Sequence, residues 1–122
     1  MTSALKIETL ARTERPWGWF ETVSAGPGNK VKRIHVHPGR RISLQKHLQR
    51  TEHWVVVLGQ ALVTLGEQVL TLGPGAHVDI AVGQVHRLSN RSAAPLEIIE
   101  VQFGDCLSEN DIVRLNDDYG RA

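Results

Sequence analysis

The feature that most limits the fold of this chain is the shortness of its apolar and alternating runs, which glycine, proline and asparagine interrupt throughout. There are nine such runs: WGWFETV, KVKRIHV, RISLQKH, EHWVVVL, ALVTLG, QVLTL, HVDIA, HRLSN and LEIIEVQFG. They recur about every 8–12 residues, with turn segments such as GPGN, HPGR and GPGA between them. This spacing is typical of an antiparallel sandwich or barrel, because each run is long enough for a strand and too short for a core helix. We therefore expect an all-β fold.

One helical signal stands near the C-terminus. Ser108 is a suitable cap for the stretch ENDIVRL, and Asp111 occupies the capping-box position that follows it. We expect a short helical turn there.

Length and composition indicate one globular domain with a single core, since the chain has 122 residues, 41% of them hydrophobic. We predict an N-terminal arm over residues 1–14 and one domain over residues 15–122.

The net charge of +1 favours neither nucleic acid nor an anionic membrane as a partner, and no apolar run approaches the ~18 residues of a membrane span. Cys106 is the only cysteine, and the N-terminus lacks the apolar core of a signal peptide. We expect a cytoplasmic protein.

Strand alternation sends potential metal ligands towards the interior. In RISLQKH the period of two places Gln45 and His47 on one face, and in EHWVVVL it places Glu52 on the face of Trp54. His86 follows a tight turn that aims its imidazole into a barrel. Two nitrogen and two oxygen donors suit zinc, iron, manganese, nickel or cobalt, and the amide oxygen favours an open site over a closed structural one. The alternative for each histidine is a hydrogen-bonded core residue.

The spacing of these residues resembles the paired motifs of the cupin superfamily. One residue separates Gln45 from His47, four separate His47 from Glu52, and in the second motif ten separate Gly75 from His86. The resemblance implies a double-stranded β-helix, or jelly-roll barrel, with Gln45 where the superfamily usually has its first histidine.

A closer resemblance is to the C-terminal domain of type II mannose-6-phosphate isomerases. It rests on RPWGWFETV, KVKRIHVHPGRRISLQKHLQRTEHWVVVLGQALVTLG, HRLSN, PLEIIEVQFG and ENDIVRLNDDYGR, and it runs from Arg15 to Arg121. It implies an isomerase that interconverts mannose 6-phosphate and fructose 6-phosphate through an enediol, with a divalent ion held by the four residues above. We expect zinc, with nickel, cobalt, manganese and iron as alternatives. The resemblance does not include a guanylyltransferase domain, so we expect no synthesis of GDP-mannose.

Isomerisation by this route needs a Lewis acid and a positioned base. Glu100 is the candidate base, because it shares an inward face with Ile98 in LEIIEVQ. Lys32, on the face of Ile34, and Arg114 are the candidates for charge-assisted contacts with the phosphate. The structural alternatives are a Lys32–Glu100 pair across the sheet and an Arg114 that binds carbonyls at a helix end.

Two further expectations concern assembly and activity. A single jelly roll leaves edge strands and an outer face that carries Val55 and Val57, so we expect a homodimer. The alternative function is a metal-binding sugar-recognition cupin that is non-catalytic or catalyses a different reaction, alone or as a subunit assisting a separate enzyme.

Overall fold

A computed structural model describes residues 11–121, and these residues form eleven β-strands. The strands are β1 (Thr13–Arg15), β2 (Gly18–Gly26), β3 (Asn29–Val36), β4 (Leu44–Lys46), β5 (Arg50–Leu58), β6 (Ala61–Leu65), β7 (Gln68–Leu72), β8 (His77–Ile80), β9 (His86–Ser89), β10 (Leu96–Gly104) and β11 (Val113–Asn116). Residues 11–121 contain no helix, and so none that could cross a membrane. The nine runs singled out in the sequence correspond to β2 to β10.

The strands form two antiparallel sheets that enclose one core. The six-stranded sheet has the order β1-β2-β3-β10-β5-β8, and the five-stranded sheet has the order β11-β4-β9-β6-β7. Alternate residues of β5 and β10 point inward, where Trp54, Val56 and Ile98 pack against Val63 and Leu88 of the other sheet. The all-β expectation is confirmed.

The predicted C-terminal helical turn is wrong. Ser108 and Asp111 do close a turn, in which the Asp111 amide donates to the Ser108 carbonyl at 3.1 Å. The Asp111 carboxylate, however, accepts hydrogen bonds from the backbone amides of Leu48 and Gln49 instead of capping a helix. The chain then continues as β11, which pairs with β4. Long-range pairing has therefore overridden the local capping signal.

The predicted N-terminal arm falls largely on residues 1–10, which lie outside the described residues. Thr13 and Glu14, which the prediction assigned to the arm, belong to β1 and pair with Phe20 and Trp19 of β2. The division of the chain at residue 15 stays a prediction.

Strand pairing places the polar residues of the two sheets around one end of the barrel interior. In the six-stranded sheet, Glu100 of β10 lies between Lys32 of β3 and Trp54 of β5. In the five-stranded sheet, Gln45 of β4 lies opposite His86 of β9. The strand register thus determines which side chains meet between the sheets.

Candidate metal centre

A buried His–Glu–His group bridges the two sheets. The ligand atoms of His47, Glu52 and His86 all lie within 4.8 Å of one another, and all three side chains are buried. Nε2 of His47 is 3.1 Å from Oε2 of Glu52, and Nε2 of His86 is 3.8 Å from Oε1 of the same carboxylate. Three of the four predicted ligands therefore converge on one point.

Backbone carbonyls orient both imidazoles. Nδ1 of His47 lies 2.6 Å from the Asp111 carbonyl, and Nδ1 of His86 lies 2.8 Å from the Gln84 carbonyl. A carbonyl can only accept, so Nδ1 of each ring carries a proton and Nε2 is the nitrogen that faces Glu52. Outer hydrogen bonds of this kind fix the tautomer of histidines that bind metals.

A tight turn brings the His86 segment against the end of β4. Gly83 has a φ of +76°, a left-handed conformation that glycine adopts without strain, and its amide donates to the His47 carbonyl at 2.7 Å. This contact ties together the two segments that carry the histidines.

The donor set fits a divalent metal. Nε2 of His86 is completely enclosed and has no hydrogen-bond partner within residues 11–121. A buried polar atom left unsatisfied in this way costs about 1–3 kcal/mol. Nε2 of His47 lies 3.1 Å from Oε2 of Glu52 and has a donor in the NH2 group of Arg50 at 3.2 Å. A cation held among the two Nε2 atoms and the Glu52 carboxylate would satisfy Nε2 of His86.

The protonation states agree with metal ligation. Burial lowers the pKa of His86, and this outweighs the charge of Glu52 and the hydrogen bond to Gln84, which raise it. For Glu52, burial acts to raise the pKa, but hydrogen bonding and charge from His47, with smaller contributions from Glu100 and Arg50, hold it well below its usual value. A neutral imidazole and an ionised carboxylate are the forms that bind metals.

Gln45, the fourth predicted ligand, lines the same cavity as His47. Its Oε1 accepts a hydrogen bond from the Ser43 hydroxyl at 2.7 Å. Its role as a metal ligand stays a prediction.

Glu100 is buried beside this group. Its Oε1 accepts from the Gln102 amide at 2.6 Å, and its Oε2 accepts from the Trp54 indole N–H at 3.1 Å. The same indole N–H lies 3.0 Å from Oε1 of Glu52, so Trp54 connects the two carboxylates. Burial, followed by the charge of Glu52 and a hydrogen bond with it, raises the pKa of Glu100 to about 8.

Five basic side chains line the cavity that His47 borders. They are Arg15, Lys32, Arg50, Arg114 and Arg121. Lys32 and Arg114, the two residues predicted to contact the phosphate, both line this cavity, and their role stays a prediction. Lys32 forms its ion pair with Glu109, and Arg114 belongs to β11, where no helix end is available for it to cap.

Arg50 was missed by the sequence analysis. Its side chain is buried, its Nε donates to Oε2 of Glu52 at 2.8 Å, and its NH2 group lies 3.2 Å from Nε2 of His47. The signal was available, because Arg50 stands two residues before Glu52 and a strand places such residues on one face. The predicted strand began at Glu52 and so excluded it.

Comparisons with known proteins indicate a family. A family model described as mannose-6-phosphate isomerase C-terminal matches residues 4–117. The xanthan biosynthesis protein XanB of Xanthomonas campestris pv. campestris is 51% identical over 108 residues, which cover 88% of this chain and 23% of that protein. The mannose-1-phosphate guanylyltransferase ManC of Salmonella typhimurium is 47% identical over 108 residues, covering 88% and 22%. The chain therefore spans less than a quarter of the length of these relatives.

Solved structures share the fold at low sequence identity. A protein with a double-stranded β-helix domain from Klebsiella pneumoniae is similar with a TM-score of 0.74 and 22% identity, covering 91% of this chain and 97% of that one. Oxalate decarboxylase from Bacillus subtilis is similar with a TM-score of 0.77 and 18% identity, covering 87% of this chain and 30% of that one. The predicted cupin double-stranded β-helix is confirmed.

Proposed function

This chain belongs to the mannose-6-phosphate isomerase C-terminal family, and we propose that it is a metal-dependent isomerase that interconverts mannose 6-phosphate and fructose 6-phosphate. The observation that carries the proposal is the buried His–Glu–His group, with its unsatisfied His86 Nε2, whose member His47 borders a cavity lined by several basic side chains. A metal ligand set and a basic cavity together suit a phosphorylated sugar.

We propose that His47, Glu52 and His86 hold the metal, with Gln45 as a fourth ligand. Nitrogen and oxygen donors of this kind suit zinc, and nickel, cobalt, manganese and iron are the alternatives. When bound, such an ion supplies a Lewis acid for the sugar oxygens that gain negative charge in an enediol mechanism.

Glu100 is the proposed proton carrier between C2 and C1 of the sugar. A base that takes up and returns a proton near neutral pH works best with a pKa close to the working pH, and burial raises the pKa of Glu100 to about 8. Hydrogen bonds from Trp54 and Gln102 fix the position of the carboxyl group. Glu52 lies close by, but its oxygens face the two histidines, so the two carboxylates take different roles.

Lys32 and Arg114 are the proposed phosphate contacts. Each comes from a different sheet, Lys32 from β3 and Arg114 from β11, and both line the cavity. A doubly charged phosphate held between them would keep the sugar chain directed towards the His–Glu–His group.

A coupled assay tests the proposal. The full chain is freed of metal with a chelator, reconstituted with zinc, cobalt, nickel or manganese, and supplied with mannose 6-phosphate while fructose 6-phosphate is measured. We expect turnover that depends on the metal and is lost in Glu52→Gln. Metal binding without turnover of any hexose phosphate would instead support the alternative of a non-catalytic or differently catalytic sugar-binding cupin.

We also propose a homodimer. The outer face of the six-stranded sheet exposes Val57 (42%) and Phe103 (53%), with Val55, Ile99 and Val101 half-buried between them. A second copy covers this apolar stripe and protects nearby edge strands. Light scattering at micromolar concentration should give twice the chain mass, and a monomer mass would contradict the proposal.

A further inference from the structure

Lys32 carries a buried charge that is balanced by a residue from a distant loop. The residue is only 3% exposed, and its ammonium group lies 4.2 Å from the centre of the Phe20 ring. The Glu109 carboxylate forms an ion pair with this ammonium group. The Glu109 side chain is 45% exposed, so one partner of the pair is buried and the other borders on solvent.

Glu109 projects from a turn whose backbone is held on both sides. Before it, the Leu107 carbonyl accepts from Lys30 Nζ at 3.1 Å. After it, the Asp111 carboxylate accepts from the amides of Leu48 and Gln49 at 2.9 and 3.0 Å. The Glu109 side chain can therefore leave Lys32 for solvent by rotating about its own bonds, while the turn stays attached at its two ends and becomes less restrained between them.

A buried ammonium group requires an anion, because an unpaired charge in the interior is costly. Glu109 supplies that anion in the protein without substrate, and both residues line the cavity. A ligand phosphate that enters the cavity can form an ion pair with Lys32 in place of Glu109, whereas an uncharged sugar cannot. Exchange of Glu109 for a ligand phosphate therefore keeps the Lys32 charge compensated, and the two anions compete for Lys32.

We propose that Glu109 is an internal competitor for the phosphate subsite at Lys32: it compensates the buried charge when no anion is bound and lowers the affinity of the subsite for a ligand phosphate. This inference rests on the proposed function in taking a phosphorylated sugar as the natural ligand. It adds a residue that competes with the ligand phosphate for Lys32 and that the phosphate displaces.

Phosphate binding to the Glu109→Gln variant tests the inference. Titration calorimetry of the zinc-loaded full chain with inorganic phosphate should show binding about two- to tenfold tighter than in wild type, the range expected for loss of one partly exposed competing ion pair. Glu67→Gln is the matched control. It removes the same charge from an exposed position in the β6–β7 turn and should bind phosphate like wild type.

A second substitution locates the effect. The gain from Glu109→Gln should vanish when Lys32→Met is added, because the subsite itself is then lost. A Glu109→Gln variant that binds phosphate no more tightly than Glu67→Gln, or a gain that survives Lys32→Met, overturns the inference. The latter result would place the anion at the metal or on another arginine.

Hydrogen exchange gives a readout that needs no substitution. The Asn110 amide donates to the Ser108 hydroxyl in the turn that holds Glu109, at 3.1 Å. Saturating phosphate should speed exchange of amides in residues 108–111 of the wild-type chain, because the turn loses its side-chain contact with Lys32. Unchanged or slower exchange contradicts the inference.

The inference and the proposed function can fail separately. Tighter phosphate binding by Glu109→Gln without any hexose phosphate isomerisation supports the competitor role and rejects the isomerase. Isomerisation with a KM for mannose 6-phosphate that is the same in Glu109→Gln and wild type supports the isomerase and rejects the competitor role.

Discussion

Replacement of His86 by leucine should separate the stability of the barrel from its response to metal. His86 is completely buried, and its Nε2 has no hydrogen-bond partner in the described part of the chain. Leucine is of similar size and cannot bind a metal, so the variant removes the ligand while filling its space. The exposed His77 on β8 provides the control His77→Leu.

The expected magnitudes follow from the contacts of the ring. Without metal, the substitution removes an unsatisfied nitrogen that costs about 1–3 kcal/mol and also removes the Nδ1 hydrogen bond to Gln84, worth about 0.5–1.5 kcal/mol. Because these two effects oppose each other, the chelated variant should stay within about 2 kcal/mol of chelated wild type. Metal at a hundred times its Kd should stabilise wild type alone, by about 2.7 kcal/mol.

Thermal unfolding followed by circular dichroism measures the difference. For a domain of 122 residues, a stabilisation of this size corresponds to a rise in Tm of roughly 10 °C. We expect that rise in wild type and in His77→Leu on addition of zinc after chelation, and no rise in His86→Leu.

Two results would refute the reasoning. A wild-type Tm that is the same in chelator and in each candidate metal would mean that the enclosed nitrogen is an uncompensated defect of the core. A zinc-dependent rise that persists unchanged in His86→Leu would place the metal elsewhere.

Three further substitutions test separate parts of the site. Glu100→Gln should keep zinc affinity and lower turnover of mannose 6-phosphate by about 10²–10⁴, the usual contribution of a general base, and normal turnover would place the base elsewhere. Lys32→Met or Arg114→Met should raise KM for phosphorylated sugars about tenfold or more through loss of a charge-assisted contact, and an equal rise for an unphosphorylated sugar would contradict the phosphate role. Asp111→Ala should destabilise the fold by about 2–4 kcal/mol in urea, since two backbone amides lose their acceptor, and should weaken zinc binding about 10–100-fold, because the backbone carbonyl of residue 111 that orients His47 is then held less firmly. Unchanged zinc affinity in that variant would show that the Asp111 contact does not support the site.

Strand alternation predicted much of the site from the sequence. The period of two predicted that Glu52 of β5, Glu100 of β10 and Lys32 of β3 point inward, and all three are buried in the structure. Burial of a charged residue on an apolar strand face is a strong signal, because a chain accepts that cost only where a partner or a ligand compensates it. The structure also brings the ligand atoms of His47 and His86 close together, as the spacing of the two motifs predicted.

The parts that local pattern did not predict depend on contacts between distant segments. Ser108 and Asp111 carry a capping signal, but the Asp111 carboxylate finds its donors 62 and 63 residues away, and pairing with β4 makes the next residues a strand. The ion pair between Lys32 and Glu109 likewise joins residues 77 positions apart. No periodicity within a short window encodes contacts of this kind.

The attachment of the segment after β10 has a practical consequence for anyone who shortens, fuses or transplants this barrel. The six-stranded sheet is complete at Gly104, which makes that residue an inviting place to cut. A fragment ending there would retain His47, Glu52 and His86 but would lack the carbonyl that orients His47 and the arginine of β11. Such a fragment would keep the three proposed metal ligands but lose part of the cavity lining. The smallest fragment that retains the whole site therefore extends at least through β11.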